Sequence, residues 1–312
     1  MENHNTQFPD RFSLISATDA DYQAWRMIKL EQASDLLANS DPVLIGDLSA
    51  ITPAEHDELS RRCEISNAVF YHDTQETSDP DTVGNLLRQF AQNIGLRIAE
   101  KHRSAGKDGI VSLQVSDSVS QKGYIPYSKK PMNWHTDGYY NAPDDKIRAM
   151  VLHCVRAADT GGVNQVFDPE IAYIRLRDEN PAYITALMHP FAMTIPENRE
   201  PNGNVRPASI GPVFEVNPQT GHLEMRYTAR TRSIEWRDDA TTRAAVDFLQ
   251  SVLNSDDPYI QTIKMQDGDG LLCNNSLHNR TGFDANSDNA STRLLMRVRF
   301  HNRVNWREKR RT

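Results

Sequence analysis

The chain has 312 residues, 38% of them hydrophobic and 25% charged, a composition that is normal for a globular protein and excludes an intrinsically disordered one. The formal net charge of −7 argues against a general nucleic-acid binder, because such proteins need a basic surface to neutralise phosphates. The three cysteines are far apart and form no Cys-x-x-Cys pair, which excludes a disulfide framework and a cysteine-built zinc site.

No pattern in the sequence is typical of export or of membrane insertion. The opening residues, MENHNTQFPDRF, lack the basic and then apolar run of a signal peptide. No stretch approaches the ~20 apolar residues that are needed to span a bilayer. We therefore expect a cytoplasmic protein that has no integral membrane segment and no nucleic-acid partner. Whether it forms a homo-oligomer is left open.

A polar lead-in over residues 1–20 precedes a part that is predicted to be mainly helical, residues 21–105. Apolar residues recur at helical spacing in residues 21–39, at Met27, Leu30, Ala33 and Leu37, with Leu36 beside them. The next segment, PVLIGDL, is a short apolar run of strand type. The pattern therefore predicts one helix and then a strand.

Two further helices are predicted before the chain changes character. TPAEHDELSRRC opens with Thr52 as N-cap, Pro53 in the first turn and Glu55 three residues after the cap, which is the pattern of a capping box. Residues 83–103 carry apolar residues along one helical face. These helices complete the predicted N-terminal layer.

After Gly109 the sequence consists of short β-type runs that are broken by Gly, Pro, Asn and Asp. The runs are IVSLQVSD, AMVLHCVRA, VNQVF, FAMTI, PVFEV, LEMRY, YIQTIKM, GLLCNN and LLMRVRFHN. Helical insertions interrupt them at about 169–188 and 239–254. We predict an α+β fold in which residues 106–304 form a β core of the double-stranded β-helix type, a cupin-like jelly roll. A basic tail over 305–312 would complete a single domain spanning residues 1–312.

A metal site is predicted from three side chains. His135 and Asp137 lie in NWHTDGYYNAP at the end of a predicted strand, and alternation points both to the same face. His278 follows a Gly-Asp-Gly turn and a strand. Two imidazoles and one carboxylate form the facial triad of non-haem Fe(II) oxygenases, which leaves open positions for a cosubstrate and O₂. Zinc accepts the same ligands, so ligand types leave the metal open. In a chain with ten histidines, the pair could also be structural.

Two arginines strengthen the prediction of a functional metal site. Arg293 begins the strand RLLMRVRF beyond His278, and Arg297 lies four residues further on. Arginine binds carboxylates through two parallel hydrogen bonds, and a buried arginine needs such an anion. By itself the segment would be an ordinary edge strand with solvated arginines. Together with the His-x-Asp…His pattern, it predicts a clamp for an acidic cosubstrate.

At these motifs the sequence resembles a known family. NWHTDGYY, DTGGVNQVF, GDGLLCNNSLHNR and TRLLMRVRF, in that order, resemble the taurine dioxygenase / 2,4-dichlorophenoxyacetate dioxygenase (TauD/TfdA) family of Fe(II)/2-oxoglutarate oxygenases. The resemblance covers roughly residues 40–303. It implies a dioxygenase that uses Fe(II), 2-oxoglutarate and O₂, hydroxylates a small-molecule substrate and releases succinate and CO₂.

Carried over by position, the resemblance implies that His135, Asp137 and His278 hold the iron. It implies that Arg293 binds the distal carboxylate of 2-oxoglutarate. Arg297 matches a position that binds the substrate's anionic group or assists the cosubstrate. Asn164 stands where some members place a threonine that helps to hold 2-oxoglutarate, and its amide can still donate a hydrogen bond.

Candidates for substrate contacts lie near these motifs. Trp134 and Tyr139 flank the metal motif, although packing is the more ordinary role of such residues. RYTARTR supplies Tyr227 and Arg230, and its arginines would favour an anionic substrate if they lined a cleft. Residues 196–212, rich in Pro, Gly and Asn, are typical of a long functional loop and could form a lid.

Other functions remain open at this point. The same chemistry could act on a larger substrate, such as a sugar acid, a peptide or a lipid-linked group. A zinc-dependent hydrolase or isomerase on a β-barrel could use the same three ligands with an activated water. A barrel-shaped binding protein could carry the histidines for structural reasons alone. Arg293 discriminates among these, because only the oxygenase needs a cation that binds the keto acid.

Overall fold

The structure is a computed structural model that describes residues 12, 19–97, 99–100, 109–116, 124–199, 203, 205–284 and 293–304. Short 3₁₀ helices lie at Ile125–Tyr127 and Pro143–Asp145. The α-helices of the described residues are α1 (Asp19–Ala38), α2 (Pro53–Ser66), α3 (Pro80–Asn93), α4 (Pro169–Glu179), α5 (Pro181–Leu187) and α6 (Ala240–Leu253).

Most strands are short, and they are spread over nearly the whole described chain. In chain order they are β1 (Val43–Ile45), β2 (Ala68–Asp73), β3 (Ile110–Leu113), β4 (Met132–His135), β5 (Ala149–Arg156), β6 (Thr160–Gly161), β7 (Asn164–Phe167), β8 (Met193–Ile195), β9 (Asn198–Arg199), β10 (Val205–Arg206), β11 (Ser209–Gly211), β12 (Phe214–Val216), β13 (Leu223–Met225), β14 (Glu235–Trp236), β15 (Gln261–Ile263), β16 (Asp269–Cys273), β17 (Leu277–Arg280), β18 (Phe283–Asp284) and β19 (Leu294–Phe300). The protein is therefore a mixed α/β chain with several helices and sheets.

The chain divides into two compact units whose segments interleave. Unit 1 consists of Met1–Ala38, Pro169–Arg226 and Arg230–Tyr259, and unit 2 consists of Asn39–Asp168, Tyr227–Ala229 and Ile260–Thr312. Each unit is built from three separate segments of the chain. No single linker-like segment of the sequence therefore marks a boundary between the units. The single domain over residues 1–312 stays a prediction.

Unit 2 contains the two largest sheets of the described residues. One has six strands in the order β1-β2-β16-β5-β19-β3, and the other has four in the order β15-β7-β17-β4. Apart from the parallel pair of β1 and β2, the pairings within these two sheets are antiparallel. All residues of β19 are buried, as are nearly all of β5, so both faces of the larger sheet are covered at its centre.

One face of the six-stranded sheet packs against α2 and α3. The cluster on this face joins Leu59 of α2 and Phe90 of α3 to sheet residues such as Tyr71 and Val298. The rings of Phe90 and Tyr71 lie 4.9 Å apart between their centroids. A fully buried side chain of this size contributes about 1.5–3 kcal/mol by leaving water. The helical layer is thus held to the sheet by apolar burial.

A second apolar cluster of unit 2 joins the two sheets. It includes Val166 of β7 together with Leu152, Leu271 and Leu295 of the six-stranded sheet. Ile263 of β15 packs against the same cluster. The four-stranded sheet, which carries the site described below, is therefore anchored on the larger sheet by side chains of both.

Unit 1 contains α1, α4, α5 and α6 with several short hairpins. The ring of Phe12 lies edge-on to Trp25 and to Tyr173, with centroid distances of 5.0 and 5.4 Å. The ammonium group of Lys29 in α1 pairs with Glu170 of α4 at 2.5 Å, and both side chains are buried. A buried charge needs such a partner, so this ion pair determines which face of α1 turns inward.

Many of the predicted elements are confirmed. Each of the β-type runs proposed after Gly109 contains a strand, and both helical insertions are present as α4, α5 and α6. The capping box of α2 is formed as predicted. The backbone N–H of Glu55 donates to Thr52 Oγ1 at 3.2 Å, and the N–H of Thr52 donates to Glu55 Oε2 at 2.6 Å.

Three predictions on local structure are wrong. The helix predicted over 83–103 begins at Pro80 and ends at Asn93, because Gly95 takes a left-handed conformation with φ +83° that stops it. Met27 belongs to the apolar pattern that predicted α1, but it is 63% exposed. The buried face of α1 carries Lys29 instead. The patternless loop over 196–212 contains β9, β10 and β11, which are too short to leave a periodic pattern.

Some predictions lie outside the described residues. They are nearly all of the polar lead-in over 1–20 and the basic tail over 305–312. Among the residues that are described, no helix combines the length and the apolar character that crossing a membrane requires. The cytoplasmic location stays a prediction.

We expect Phe90→Ala to lower the free energy of unfolding by about 3–5 kcal/mol, because it leaves a cavity between α3 and the six-stranded sheet. Urea denaturation measures the change. Gln92→Ala, at an exposed position of the same helix, is the matched control and should change the free energy by less than about 0.5 kcal/mol. Similar losses in both variants would contradict the packing described here.

Candidate metal centre

The pairing of β4 with β17 brings the two predicted histidines together. In this antiparallel pair His135 lies directly opposite His278, and the ring centroids are 4.2 Å apart. The other edge of β4 is also bonded, since the Thr136 N–H donates to the carbonyl of Tyr227 at 3.0 Å. With both edges engaged, the strand that carries His135 has a defined register.

A tight turn directs Asp137 back toward the histidines. The turn requires glycine at position 138, where φ is +65° and an added Cβ would lie 2.5 Å from Ile147 Cγ1. Asn275 holds the backbone of Asp137 from both sides. The Asp137 N–H donates to Asn275 Oδ1 at 2.7 Å, and Asn275 Nδ2 donates to the Asp137 carbonyl at 3.1 Å.

Both imidazoles are oriented in the same way. Nδ1 of His135 lies 2.8 Å from the carbonyl oxygen of Asn133, and Nδ1 of His278 lies 3.0 Å from that of Ser276. A carbonyl oxygen only accepts hydrogen bonds, so Nδ1–H is the donor in each ring. Nε2 of each histidine is therefore unprotonated and carries a free lone pair, as a metal ligand requires.

Electrostatics keep all three side chains in the ligand form. Burial and the neighbouring His278 lower the pKa of His135 to about 3. Burial likewise lowers the pKa of His278. For Asp137 burial acts to raise the pKa, but Arg297 and Arg299 outweigh it and hold the pKa below its usual range. Near neutral pH the cluster consists of two neutral imidazoles and one carboxylate.

These three residues fit a metal ion. Each of His135, Asp137 and His278 is buried and offers one ligand atom, and these atoms lie within 4.8 Å of one another. Oδ2 of Asp137 is buried without a hydrogen-bond partner among the described residues. A buried carboxylate oxygen is rarely left unpaired unless it has a further role. The donor set of two nitrogens and one oxygen suits ferrous iron with open positions, as in the facial triad.

Two arginines of β19 contact the carboxylate from the other sheet of the unit. Arg297 donates through one terminal nitrogen to Asp137 Oδ1 at 3.0 Å, and Arg299 donates to the same oxygen at 3.4 Å. Nε of Arg297 is buried and has no hydrogen-bond partner among the described residues. The structure thus engages Arg297 with Asp137, and its role toward a cosubstrate or a substrate stays a prediction.

Arg293 is a buried cation without an anion. It is 6% exposed, and it makes no hydrogen bond or ion pair with any residue that the structure describes. Its guanidinium carbon lies 5.0 Å from the ring centroid of Phe283, and burial lowers its pKa. Gly162 lies against it, since a Cβ there would come within 3.5 Å of Arg293 Nε. A buried guanidinium in this state is arranged to receive an anion.

The remaining predicted cosubstrate and substrate residues are less directly engaged. Asn164 is buried in β7, and its Nδ2 donates to the carbonyl of Gly162 at 3.1 Å. The ring of Tyr139 lies edge-on to His135 at 6.3 Å. Tyr227 is fully buried, and its backbone N–H donates to Thr136 Oγ1. Their contacts with ligands stay predictions.

Trp134 and Arg230 are not brought into the cluster of ligands by any described contact of their side chains. Trp134 is buried, and as the neighbour of His135 in β4 it points to the opposite face of the strand. Arg230 is exposed and belongs to unit 1. A substrate contact of either residue stays a prediction.

Several polar residues around Asp137 were not predicted from the sequence. Arg299 lies two positions beyond Arg297, so alternation along the strand would have placed it on the same face. No sequence pattern indicated Asn275, because its side chain bonds the backbone of Asp137, which is distant in sequence. Glu100, which pairs with Arg299, was assigned to a helix that ends before it.

Comparison with known proteins agrees with this geometry. Residues 6–299 match the model of the taurine catabolism dioxygenase TauD, TfdA family. The chain belongs to the TauD/TfdA family. The predicted resemblance is thereby confirmed, and with it the enzyme class that the family represents, the dioxygenases.

A curated relative in the same class is a uridine-5'-phosphate dioxygenase from Amycolatopsis sp, which is 31% identical over 176 residues. The match covers 54% of this chain and 60% of the relative, so it spans less than two thirds of that protein.

Solved structures of similar fold include non-haem iron oxygenases. OrfP in complex with Fe, succinate and (3R,4R)-dihydroxy-L-Arg has a TM-score of 0.60, at 19% identity over 91% of this chain and 92% of that one. An asparagine oxygenase in complex with Fe(II), 2S,3S-3-hydroxyasparagine and succinate has a TM-score of 0.58, at 14% identity over 86% and 89%. At this identity the likeness concerns the fold, and the bound groups agree with the predicted cofactors.

We expect Asp137→Ala to lower the free energy of unfolding of the metal-free protein by about 3–5 kcal/mol, because Arg297 and Arg299 then lose a buried counter-charge. His278→Ala removes a neutral side chain from the same cluster and should cost less. Urea denaturation in the presence of a chelator measures both variants. Equal losses would show that the two arginines do not depend on Asp137.

Proposed function

We propose that this protein is an Fe(II)- and 2-oxoglutarate-dependent dioxygenase that hydroxylates a C–H bond of a small anionic substrate. The proposal is carried by the convergence of His135, Asp137 and His278 in one unit with Arg293, which pairs with no acidic residue that the structure describes. When bound, iron and 2-oxoglutarate would supply the activation of O₂ that oxidises the C–H bond, with release of succinate and CO₂.

The roles of the metal ligands follow from their protonation states and contacts. His135 and His278 would bind iron through Nε2, because Nδ1 of each ring is engaged by a backbone carbonyl. Asp137 would bind through Oδ2, its only carboxylate oxygen without a hydrogen bond. Near neutral pH no ligand atom has to lose a proton, so the three side chains could bind the metal without a change in protonation.

Arg293 would bind the far carboxylate of 2-oxoglutarate. Its position beside Phe283 keeps water from one side of the guanidinium, and Gly162 of the neighbouring glycine turn lies against its Nε. Gly161 in this turn cannot carry a side chain, since a Cβ would lie 2.2 Å from the carbonyl oxygen of Gly282. The turn therefore keeps the backbone close behind the arginine.

We also propose that the two sheets of unit 2 form the double-stranded β-helix predicted from the sequence. The apolar cluster that joins the four-stranded and six-stranded sheets supports this arrangement. Both histidines lie on the four-stranded sheet, His135 on β4 and His278 on β17.

The charge around the site favours an anionic substrate. In and next to the strands that carry the site, the buried charged residues are the arginines Arg280, Arg293, Arg297 and Arg299 and the acid Asp137, and the half-buried Glu100 pairs with Arg299. A divalent metal ion and the dianion of 2-oxoglutarate cancel each other in charge. The remaining positive charge would be balanced by an acidic substrate, because a buried excess of one sign is unfavourable.

The acidic group of the substrate could be a carboxylate, a sulfonate or a phosphate. The curated relative acts on a nucleoside phosphate, which supports the inclusion of phosphate esters. Arginine binds all three groups through parallel hydrogen bonds.

With Fe(II) present and O₂ excluded, we expect Arg293→Ala to weaken the binding of 2-oxoglutarate by about 2–5 kcal/mol, or roughly 30-fold or more. The physical reason is that the far carboxylate is then buried without a cation. Calorimetric titration measures the affinity. If the wild-type protein binds no 2-oxoglutarate under these conditions, the proposed function is wrong.

The matched control is Arg148→Ala. Arg148 belongs to the same unit and donates to the carbonyl of His301 at 3.0 Å, and no described hydrogen bond or ion pair joins it to Arg293 or to the metal ligands. This variant should bind 2-oxoglutarate as the wild type does. A similar loss in both variants would indicate a general effect of removing an arginine.

Acids should stimulate the release of succinate about 10-fold more than their neutral amides, since a charge-assisted hydrogen bond contributes roughly 1.5–3 kcal/mol. Matched pairs of carboxylates, sulfonates and phosphate esters with uncharged analogues, assayed for succinate with Fe(II) and 2-oxoglutarate, measure the ratio. Equal stimulation by both members of each pair would contradict the anionic class and leave the oxygenase chemistry in place.

A further inference from the structure

The two oxygens of Asp137 have different surroundings. Oδ1 accepts hydrogen bonds from Arg297 at 3.0 Å and from Arg299 at 3.4 Å. Oδ2 is buried and has no hydrogen-bond partner among the described residues. The carboxylate plane is therefore oriented so that one oxygen faces the two arginines and the other accepts no hydrogen bond from a described residue.

Arg299 is itself held in place by groups that do not contact a ligand atom. One terminal nitrogen forms an ion pair with Glu100 Oε2. The other donates to the hydroxyl of Tyr140 at 3.2 Å as well as to Asp137. The two terminal nitrogens of Arg299 thus contact different groups. One contacts the carboxylate of Glu100, and the other contacts Asp137 and Tyr140 in the turn that carries Asp137.

Glu100 is fixed to the same turn and to the same strand. Its Oε1 accepts from Asn141 Nδ2 at 2.9 Å, and its backbone N–H donates to the carbonyl of Arg299 at 2.8 Å. Its side chain is only 12% exposed, so water does not compete strongly for the ion pair. The turn over residues 137–141 is therefore tied to β19 through Glu100 and Arg299.

We propose that Glu100 and Arg299 are a positioning pair that keeps Oδ1 of Asp137 in hydrogen bonds and presents Oδ2 alone to the metal. This inference rests on the proposed function, because it assumes that His135, Asp137 and His278 hold the ion. The pair limits Asp137 to one coordinating oxygen and thus preserves the coordination positions that a cosubstrate needs. Neither residue needs to contact the metal or a substrate.

The test uses Co(II) as the probe, with the full-length protein. We expect Arg299→Met and Glu100→Gln to weaken Co(II) binding by roughly 10–100-fold, as is typical when the group that orients a metal ligand is lost. The visible d–d absorption of bound Co(II) should change in both, because Asp137 can then rotate or bind through both oxygens. Arg299→Lys keeps the positive charge but lacks the planar guanidinium with its several N–H donors, so it should bind Co(II) with an intermediate affinity.

Arg175→Met is the matched control. Arg175 forms an ion pair with Asp257 at 2.8 Å, and both residues belong to unit 1, whereas the metal ligands belong to unit 2. It should leave the Co(II) affinity and spectrum unchanged. Thermal unfolding of each metal-free variant shows whether a variant is folded. If Arg299→Met does not fold, Glu100→Gln decides the question, since it alters the charge and keeps the shape.

The outcomes separate this inference from the proposed function. Unchanged affinity and an unchanged spectrum in folded Glu100→Gln and Arg299→Lys would overturn the positioning pair and leave the metal site intact. A lower melting temperature with unchanged Co(II) binding would show a purely structural ion pair and also overturn the inference. If the wild type binds no Co(II), the metal site itself is wrong, and the positioning pair with it.

Discussion

The register between β4 and β17 is the constraint on which the rest of the site depends. It sets His135 directly opposite His278 in an antiparallel pair. Because side chains alternate along a strand, a slip of one residue would send either ring to the other face and separate the two imidazoles. The engagement of both edges of β4, by β17 and by the segment over 227–229, makes such a slip costly. The turn at Gly138 then returns Asp137 to the histidines.

The site keeps polar groups unsatisfied at a cost to the stability of the unit. Oδ2 of Asp137 and Nε of Arg297 are buried without hydrogen-bond partners among the described residues, and Arg293 has no acidic partner there. Each unpaired buried group costs about 1–3 kcal/mol in the folded protein. Apolar clusters on both faces of the six-stranded sheet offset this cost. In the proposed function, a metal ion and an acidic ligand would pair with these atoms on binding.

The arginines in and next to β19 differ in their contacts. Arg297 and Arg299 contact the carboxylate of Asp137, whereas Arg293 contacts no acidic residue that the structure describes. Together with the His-x-Asp…His pattern, the sequence predicted that Arg293 and Arg297 form one clamp for an acidic cosubstrate. In the structure Arg297 donates to the carboxylate of Asp137 instead. Membership of the TauD/TfdA family agrees with the proposed dioxygenase chemistry. The substrate depends on the side chains of the site, which vary among proteins of one fold.

The sequence by itself determined the features that depend on neighbours along the chain. These are the short strands after Gly109, the capping box at Thr52, the helical insertions, and the candidate ligands in their motifs. Only the tertiary structure decided which face of α1 is buried and how Arg299 and Glu100 surround Asp137, whereas the end of α3 at Gly95 is a local feature. Asp137 and Arg299 are 162 residues apart, and the partner of a buried charge is chosen by contacts between distant segments. Local periodicity carries no information about such contacts, because it reports only how successive side chains alternate between core and solvent.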